Sequence, residues 1–260
     1  MSEPPSVSFE VTGGVARVTL NRPQAGNSMD LQFGRDLLAA AERCRDPAVR
    51  VVILTGAGKA FCFVGDLGGM AALEGEARRA YLLELTRNLH AAVACFVSLP
   101  APVIAVVNGA AAGAGVGLVA MADLALAAES AKFSLAYTGV GLTPDGSTSY
   151  FLPRLVGSKR AMELVLTNRP LSATEAVEWG LVNRAVPDAL LAEEAAALAD
   201  KLAAGPQAAY AEAKRLLRST QLLPDQLDDE GRTISAQAIT TEGCEGIAAF
   251  LAKRKPSFPR

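Results

Sequence analysis

The chain has 260 residues, half of them hydrophobic, and a mean hydropathy of +0.24, so it can bury a large core. Its formal net charge of −2 provides no broad basic field of the kind that attracts nucleic acid. The four cysteines show no CxxC spacing and the chain has one histidine, so we expect no metal site.

The sequence contains no segment typical of a leader peptide or a membrane anchor. No basic stretch followed by an apolar one begins it, and we expect a cytoplasmic protein with reduced thiols. The longest apolar run, over residues 100–122, is interrupted by Pro102, Asn108 and four glycines. This run therefore predicts a buried core segment, and we expect no association with membranes.

The first half of the chain alternates strand and helix patterns. Residues 7–20 alternate apolar and polar side chains around two glycines, which predicts a β-hairpin. The remaining predicted elements are, in order, a helix over about 30–45, a strand over 51–55, a helix over about 75–98, a strand over 103–107, a short helix ending near 122 and a strand over 123–127. Strands that alternate with helices predict an α/β layer with parallel pairing.

From about residue 158 the pattern becomes helical. The predicted helices cover 158–167, 172–179, 190–203, 206–218, 223–239 and 243–253. The last two of these carry few charges on one face, which favours packing against a partner subunit.

Two loops rich in glycine and alanine, 56–67 and 108–117, each follow a predicted buried strand. Small residues let a ligand approach the backbone closely, and amides at the start of a helix stabilise negative charge. One amide from each loop would form an oxyanion hole for a thioester enolate. The alternative is that both loops are simple strand-to-helix turns. Neither matches GxGxxG or the P-loop signature.

Six segments of the chain resemble the crotonase (enoyl-CoA hydratase/isomerase) superfamily in order and spacing. They are VTLNRPQAGNSM, GAGKAFCFVGDL, PVIAVVNGAAAGAGVGLVAMADL, GLTPDGSTSYFLPRLVG, AMELVLTNRPLSATEAVEWGLVNRAV and GIAAFLAKRKPSF. The resemblance implies an α/β fold, a crotonase-like spiral of ββα units with a C-terminal α-helical trimerisation region. It places the spiral core with its CoA site in residues 1–195 and the helical oligomerisation region in 196–260.

The same resemblance implies an acyl-CoA thioester substrate, with coenzyme A as part of the substrate and no separate cofactor. It implies a homotrimer or a dimer of trimers. It assigns the oxyanion-hole amides to Gly65 and Ala114, where alanine is acceptable because the N–H is the working group.

The resemblance places the two hydratase glutamates at positions that hold Gly117 and Tyr137 here. Neither residue can act as a carboxylate acid or base. Asp145 matches the aspartate of members that shift double bonds, including ring-opening isomerases of phenylacetate degradation, although Pro-Asp-Gly is also a common turn. One carboxylate can take a proton from one carbon and return it to another. We therefore favour an enoyl-CoA isomerase with Asp145 as base.

Other functions remain open at this point. In aryl-CoA dehalogenases the position of Asp145 holds the nucleophile, a histidine lies on the helix that carries His90, and a tryptophan takes the place of Tyr137. Lone helical histidines are often structural, and Tyr137 can donate a hydrogen bond or form a wall. A hydratase with a non-standard mechanism and a non-catalytic acyl-CoA-binding protein are the further alternatives.

Phe63 and Val64 stand where the family usually has small residues, so we expect them to narrow the substrate pocket or shift the loop before Gly65. The resemblance also predicts a set of CoA-binding positions. These are Arg22, Ala25, Ala60, Phe61, Asp66, Phe250 and Lys253.

Overall fold

A computed structural model describes residues 5–63 and 65–219 and the separate positions 241, 245, 249, 252, 254 and 256–258. Its strands are β1 (Val7–Thr12), β2 (Val15–Leu20), β3 (Val51–Gly56), β4 (Ala60–Cys62), β5 (Val103–Val107), β6 (Ala110–Ala112), β7 (Leu124–Ala128), β8 (Lys132–Ser134), β9 (Leu171–Ser172) and β10 (Arg184–Val186). Its helices are α1 (Leu31–Arg43), α2 (Leu67–Ala71), α3 (Gly75–Ser98), α4 (Ala114–Met121), α5 (Thr148–Val156), α6 (Ser158–Thr167), α7 (Ala173–Glu178), α8 (Leu191–Ala203) and α9 (Gln207–Leu217).

The larger sheet has six strands in the order β1-β2-β3-β5-β7-β10. The β1–β2 hairpin is antiparallel, with Val7 opposite Leu20, and every other pair in this sheet is parallel. The first five residues of β3 and all of β5 are buried, as their continuous apolar sequences predict for strands covered on both faces. The predicted hairpin and the parallel pairing are confirmed.

A second sheet of four short strands, in the order β4-β6-β8-β9, lies beside the first. Its pairs β4–β6 and β6–β8 are parallel, and β8–β9 is antiparallel. The pairing of β4 with β6 brings together the two segments rich in glycine and alanine, because β4 lies within 56–67 and β6 lies within 108–117. This sheet therefore sets the position of the candidate site.

Helices cover the sheets on defined faces. Helix α1 is capped by Asp30, whose side chain accepts the N–H of Phe33 at 2.8 Å, and the helix packs along α3. Helix α8 packs on β2, β3, β5 and β7. Helix α9 is tied to the sheet by Lys214 and Arg218, which both pair with the Asp123 carboxylate at 2.7 Å.

One prediction of elements needs correction. The stretch after residue 158 is not purely helical, because β9 and β10 interrupt it and complete the two sheets. The proposed boundary at 195/196 falls inside α8, which packs on the main sheet. The predicted helices over 223–239 and 243–253 lie outside the continuously described residues. Within the described part of the chain, no helix has the length and apolar character needed to cross a membrane.

Candidate active site

The first loop of the site is fixed by a contact between Gly65 and the segment before α1. Gly65 forms an isolated parallel bridge with Met29, and the next amide, that of Asp66, donates to the Met29 carbonyl at 2.8 Å. A Cβ on Gly65 would lie 2.5 Å from Cε of Met70, so a larger residue would displace that side chain. The Asp66 carboxylate then accepts the N–H groups of Gly68 and Gly69 and begins α2.

The second loop turns through Gly113, whose φ of 53° suits glycine, and opens α4 at Ala114. The Gly113 amide donates to Ser134 of β8 at 2.8 Å. A Cβ on Gly115 would lie 2.3 Å from the Cys62 carbonyl oxygen, so glycine lets α4 approach β4. The N–H groups of Gly65 and Ala114 have no hydrogen-bond partner among the described residues.

Gly65 and Ala114 both line one cavity of about 310 Å³, whose other lining residues include His90, Tyr137 and Asp145. Most of its other walls are apolar. They are formed by Met29, Met70, Leu82, Leu85, Thr86, Leu89, Val140, Leu142, Thr143 and Pro144. The structure thus brings together the residues predicted for both halves of the oxyanion hole and for the base. Asp145 is the one carboxylate among the described residues that line this cavity.

Asp145 is held at both its side chain and its backbone. Nε2 of His90 lies 2.5 Å from Oδ1 of Asp145, although the residues are 55 positions apart. The Asp145 carbonyl accepts the Tyr137 hydroxyl at 3.1 Å and the Thr148 N–H at 3.1 Å. The His90 side chain is 55% exposed and that of Asp145 is 29% exposed, so the pair lies at the open side of the cavity.

Tyr137 is buried, with 7% of its surface exposed. This burial raises the pKa of its hydroxyl above the usual value, because the phenolate would lose its hydration. Tyr137 therefore stays protonated at neutral pH and can act as the donor to the Asp145 backbone. It also forms part of the cavity wall. Tyr137 therefore both donates a hydrogen bond and lines the cavity.

Gly117 lies beneath the loop that carries Asp145. A Cβ at this position would lie 2.0 Å from the carbonyl oxygen of Gly146 and 2.9 Å from Oγ1 of Thr148. The loop above it uses left-handed backbone conformations at Gly146 (φ 58°) and Ser147 (φ 70°). Gly117 is thus a packing contact below the cavity and is not among the described residues that line it. A glutamate there would require this loop to move.

The residues predicted to bind CoA form a second group. Ala60 and Phe61 are buried in β4, and Ala25 lies in a short 3₁₀ turn over 23–25. The guanidinium of Arg22 donates to the Ser28 carbonyl at 2.6 Å and pairs with the Asp30 carboxylate at 3.0 Å, so it links this turn to the start of α1.

Phe63 is 40% exposed, and its ring lies against Gly26, where a Cβ would come within 2.4 Å of the ring. It is not among the described residues that line the cavity. Val64, Phe250 and Lys253 lie outside the described residues.

Asn27 is a buried residue beside the site that was not among the predicted site residues. It is fully buried, and its side-chain amide donates to the carbonyls of Ala57, Ala60 and Phe61 at 2.9–3.1 Å. Its φ of 58° is a conformation that asparagine tolerates better than most residues. These bonds hold the 22–28 turn against β4. The asparagine stands in the quoted LNRPQAGN segment, but nothing in its spacing indicates a buried partner.

Comparisons with known proteins decide the family. The family model described as "Enoyl-CoA hydratase/isomerase" matches residues 10–260. The chain belongs to the enoyl-CoA hydratase/isomerase family. It is 41% identical to "Probable enoyl-CoA hydratase" of Rhodobacter capsulatus, with 97% of each chain covered. It is 38% identical to "1,2-epoxyphenylacetyl-CoA isomerase" of Escherichia coli, with 95% of this chain and 96% of the relative covered.

The match to "4-chlorobenzoyl coenzyme A dehalogenase-2" of Arthrobacter sp. is 32% identical and covers 96% of this chain and 92% of the relative. The crystal structure of enoyl-CoA hydratase from Mycobacterium smegmatis superposes with a TM-score of 0.91 at 36% identity, covering 98% of this chain and 99% of that chain. The predicted α/β crotonase fold is confirmed by this likeness.

Proposed function

We propose that this family member is an enoyl-CoA double-bond isomerase in which Asp145 moves the proton and the Gly65 and Ala114 amides bind the thioester oxygen. The observation that carries the proposal is the cavity itself, where Asp145 is the one carboxylate among the described lining residues and where Gly65 and Ala114, whose N–H groups have no partner among the described residues, also line the wall. The relative named 1,2-epoxyphenylacetyl-CoA isomerase is consistent with isomerase chemistry on this fold.

The proposed reaction needs one base and one site for negative charge. A carboxylate oxygen of Asp145 removes a proton next to the thioester carbonyl, and the electron pair moves into a dienolate. The charge reaches the thioester oxygen, where two fixed N–H groups stabilise it, and one such donor is typically worth about 10²–10³ in rate. The proton then returns from Asp145 to the carbon at the far end of the dienolate. General acid–base catalysis of this kind typically raises the reaction rate by a factor of roughly 10²–10⁴.

CoA enters the proposal as part of the substrate. We assign its binding to the turn around Arg22 and Ala25, to the backbone of Ala60, Phe61 and Asp66, and to Phe250 and Lys253 near the C-terminus. Asn27 supports this assignment, because it fixes the turn against β4. A homotrimer or dimer of trimers, formed through the C-terminal helical region, completes the proposal.

A hydrolytic, dehalogenase-like reaction is the second candidate. The observation in its favour is the contact between His90 Nε2 and Asp145 Oδ1, since a histidine beside a nucleophilic carboxylate can activate water. Standard hydration has less support, because the cavity has one carboxylate among its described residues and a two-glutamate mechanism requires two.

The deciding experiment offers purified protein a panel of 2-enoyl, 3-enoyl, ring-epoxide and 4-halobenzoyl CoA thioesters. The products are separated by liquid chromatography, which distinguishes isomers of equal mass, and are then identified by mass spectrometry. Double-bond migration without a change of mass, lost in both Asp145→Ala and Asp145→Asn, is the expected result. Water addition that survives Asp145→Ala would exclude the proposal in favour of a hydratase. Halide release would favour the second candidate, and binding without turnover would favour a non-catalytic protein.

A further inference from the structure

His90 and Asp145 meet at the open side of the cavity from two different elements. His90 lies in the second half of α3, and Asp145 lies in the loop before α5, with Nε2 and Oδ1 2.5 Å apart. An ionised carboxylate can only accept hydrogen bonds, so with Asp145 ready to act as base the Nε2–H of His90 is the donor. The contact therefore occupies one of the two carboxylate oxygens.

We propose that His90 is a positioning residue that holds Oδ1 of Asp145, so that Oδ2 alone takes up and returns the migrating proton. This inference rests on the isomerase function proposed above. It gives His90 a role that differs from water activation, because in an isomerase the histidine never exchanges a proton with the substrate.

The geometry around Asp145 explains why such a residue is needed. The backbone of Asp145 is fixed by the Tyr137 hydroxyl and the Thr148 N–H at its carbonyl. Oδ2 has no hydrogen-bond partner among the described residues. The terminal torsion of an aspartate is broad and roughly two-fold, so a carboxyl group without a fixed oxygen exchanges its two oxygens by rotation. His90 is the described side chain that prevents this rotation.

The consequence for the reaction is that the hydrogen removed from one substrate carbon is the same hydrogen that is returned to the other. In the first step a substrate C–H bond breaks, an Oδ2–H bond forms, and the electron pair enters the dienolate. In the second step the Oδ2–H bond breaks and a C–H bond forms at the far carbon, which restores the Asp145 carboxylate. While His90 holds Oδ1, the Oδ2–H group keeps facing the dienolate. The same hydrogen is therefore delivered, instead of being exchanged with water at the open side of the cavity.

The hydrogen bond can be observed without substrate, because His90 is the single histidine of the chain. In ¹⁵N-histidine-labelled protein we expect one imidazole with a protonated Nε2 whose proton resonance is shifted downfield. The shift should disappear in Asp145→Ala and remain in Arg87→Ala, an exposed change on the same helix. A protonated Nε2 with the same resonance in wild type and Asp145→Ala would overturn the proposal.

The isotope experiment tests the role in turnover. A 3-enoyl-CoA thioester deuterated at the carbon next to the carbonyl is converted in ordinary water, and the deuterium at the far carbon of the product is measured. We expect wild type and Arg87→Ala to transfer most of the label and His90→Ala to lose most of it to water. For His90→Ala we also expect kcat to fall by a factor of about 10–10² with little change in KM, because misplacing a catalytic group can lower the rate by up to about 10²-fold. His90→Gln, which keeps an N–H donor, should restore both label transfer and kcat.

The possible failures can be told apart. If wild type isomerises the substrate but transfers the same fraction of label as His90→Ala, the role of His90 is wrong and the isomerase function stands. Greater label retention in His90→Ala than in wild type would mean that His90 passes protons to solvent, which also overturns the proposal. If wild type does not move the double bond at all, the proposed function fails and the role of His90 fails with it.

Discussion

Gly117→Ala is the smallest change that tests how the loop carrying Asp145 is held. The added methyl carbon would lie 2.0 Å from the Gly146 carbonyl oxygen and 2.9 Å from Oγ1 of Thr148. Both atoms are buried, and the closer one belongs to the backbone, so the loop must move to relieve the contact. Overpacking of this kind typically costs about 1–3 kcal/mol. For a chain of this size that corresponds to a Tm lower by roughly 2–12 °C.

The same movement should reduce turnover, because Asp145 directly precedes Gly146. A displacement of about 1 Å at a catalytic group can cost about 10²-fold in rate. We therefore expect kcat of the isomerisation in Gly117→Ala to fall by about 10–10², while the protein stays folded by circular dichroism. Calorimetry and a steady-state assay on one preparation measure both effects.

Gly139→Ala provides the matched control. Gly139 lies in the 3₁₀ turn over 138–140, a few residues before Asp145. A Cβ there would make only ordinary contacts, the nearest with Nδ2 of Asn168 at 3.6 Å. This variant should keep the wild-type Tm and kcat. Wild-type values in Gly117→Ala as well would refute the reasoning, since they would mean that the loop does not depend on close contact with α4.

Three further predictions concern stability and positioning. Asn27→Ala removes the side-chain donor to the carbonyls of Ala57 and Phe61, while the Ala60 carbonyl keeps Asn108 as a donor, so we expect a loss of about 1–3 kcal/mol in urea unfolding and a raised KM for CoA thioesters. Tyr137→Phe removes one hydrogen bond to the Asp145 carbonyl, and its unfolding free energy should fall by about 0.5–1.5 kcal/mol with kcat reduced less than tenfold. Hydrogen bonds from the Ser172 N–H and hydroxyl lower the pKa of Glu175 below 4.5. Its stabilisation is thus complete above pH 4.5 and lost as the pH falls through the lowered pKa, so the difference in urea midpoint between wild type and Glu175→Gln should shrink from pH 7 to pH 3.

The sequence predicts the central elements of the fold well because their signals are local. Strand β5 covers the predicted range 103–107, and α3 covers the predicted range 75–98. A continuous apolar run or a long amphipathic pattern needs no partner to be recognised. The three alanines of β6 carry no such signal, since alanine is depleted in strands and three residues show no periodicity. Strand β6 exists because β4 and β8 pair with it on either side.

The site could be predicted in its components but not in its contacts. Each loop rich in glycine and alanine is visible in the sequence, and the resemblance to a family indicated Asp145. The hydrogen bond between His90 and Asp145 spans 55 residues, and it depends on where α3 ends up relative to the loop before α5. The partners of Asn27 are likewise set by the packing of a turn against β4. Contacts of this kind follow from tertiary packing, which no local pattern encodes.

The two positions that lack the hydratase glutamates, 117 and 137, both contact the loop that carries Asp145. Gly117 provides the space into which the Gly146 carbonyl fits, and the Tyr137 hydroxyl binds the carbonyl of Asp145 itself. Both positions at which the resemblance expects glutamate are therefore used to hold the loop that carries the aspartate. A glutamate at 117 would collide with this loop, and one at 137 would remove the phenol that anchors it. The close contact at Gly117 is the stronger of the two arguments, and it supports the proposal that Asp145 carries the reaction in place of a pair of glutamates.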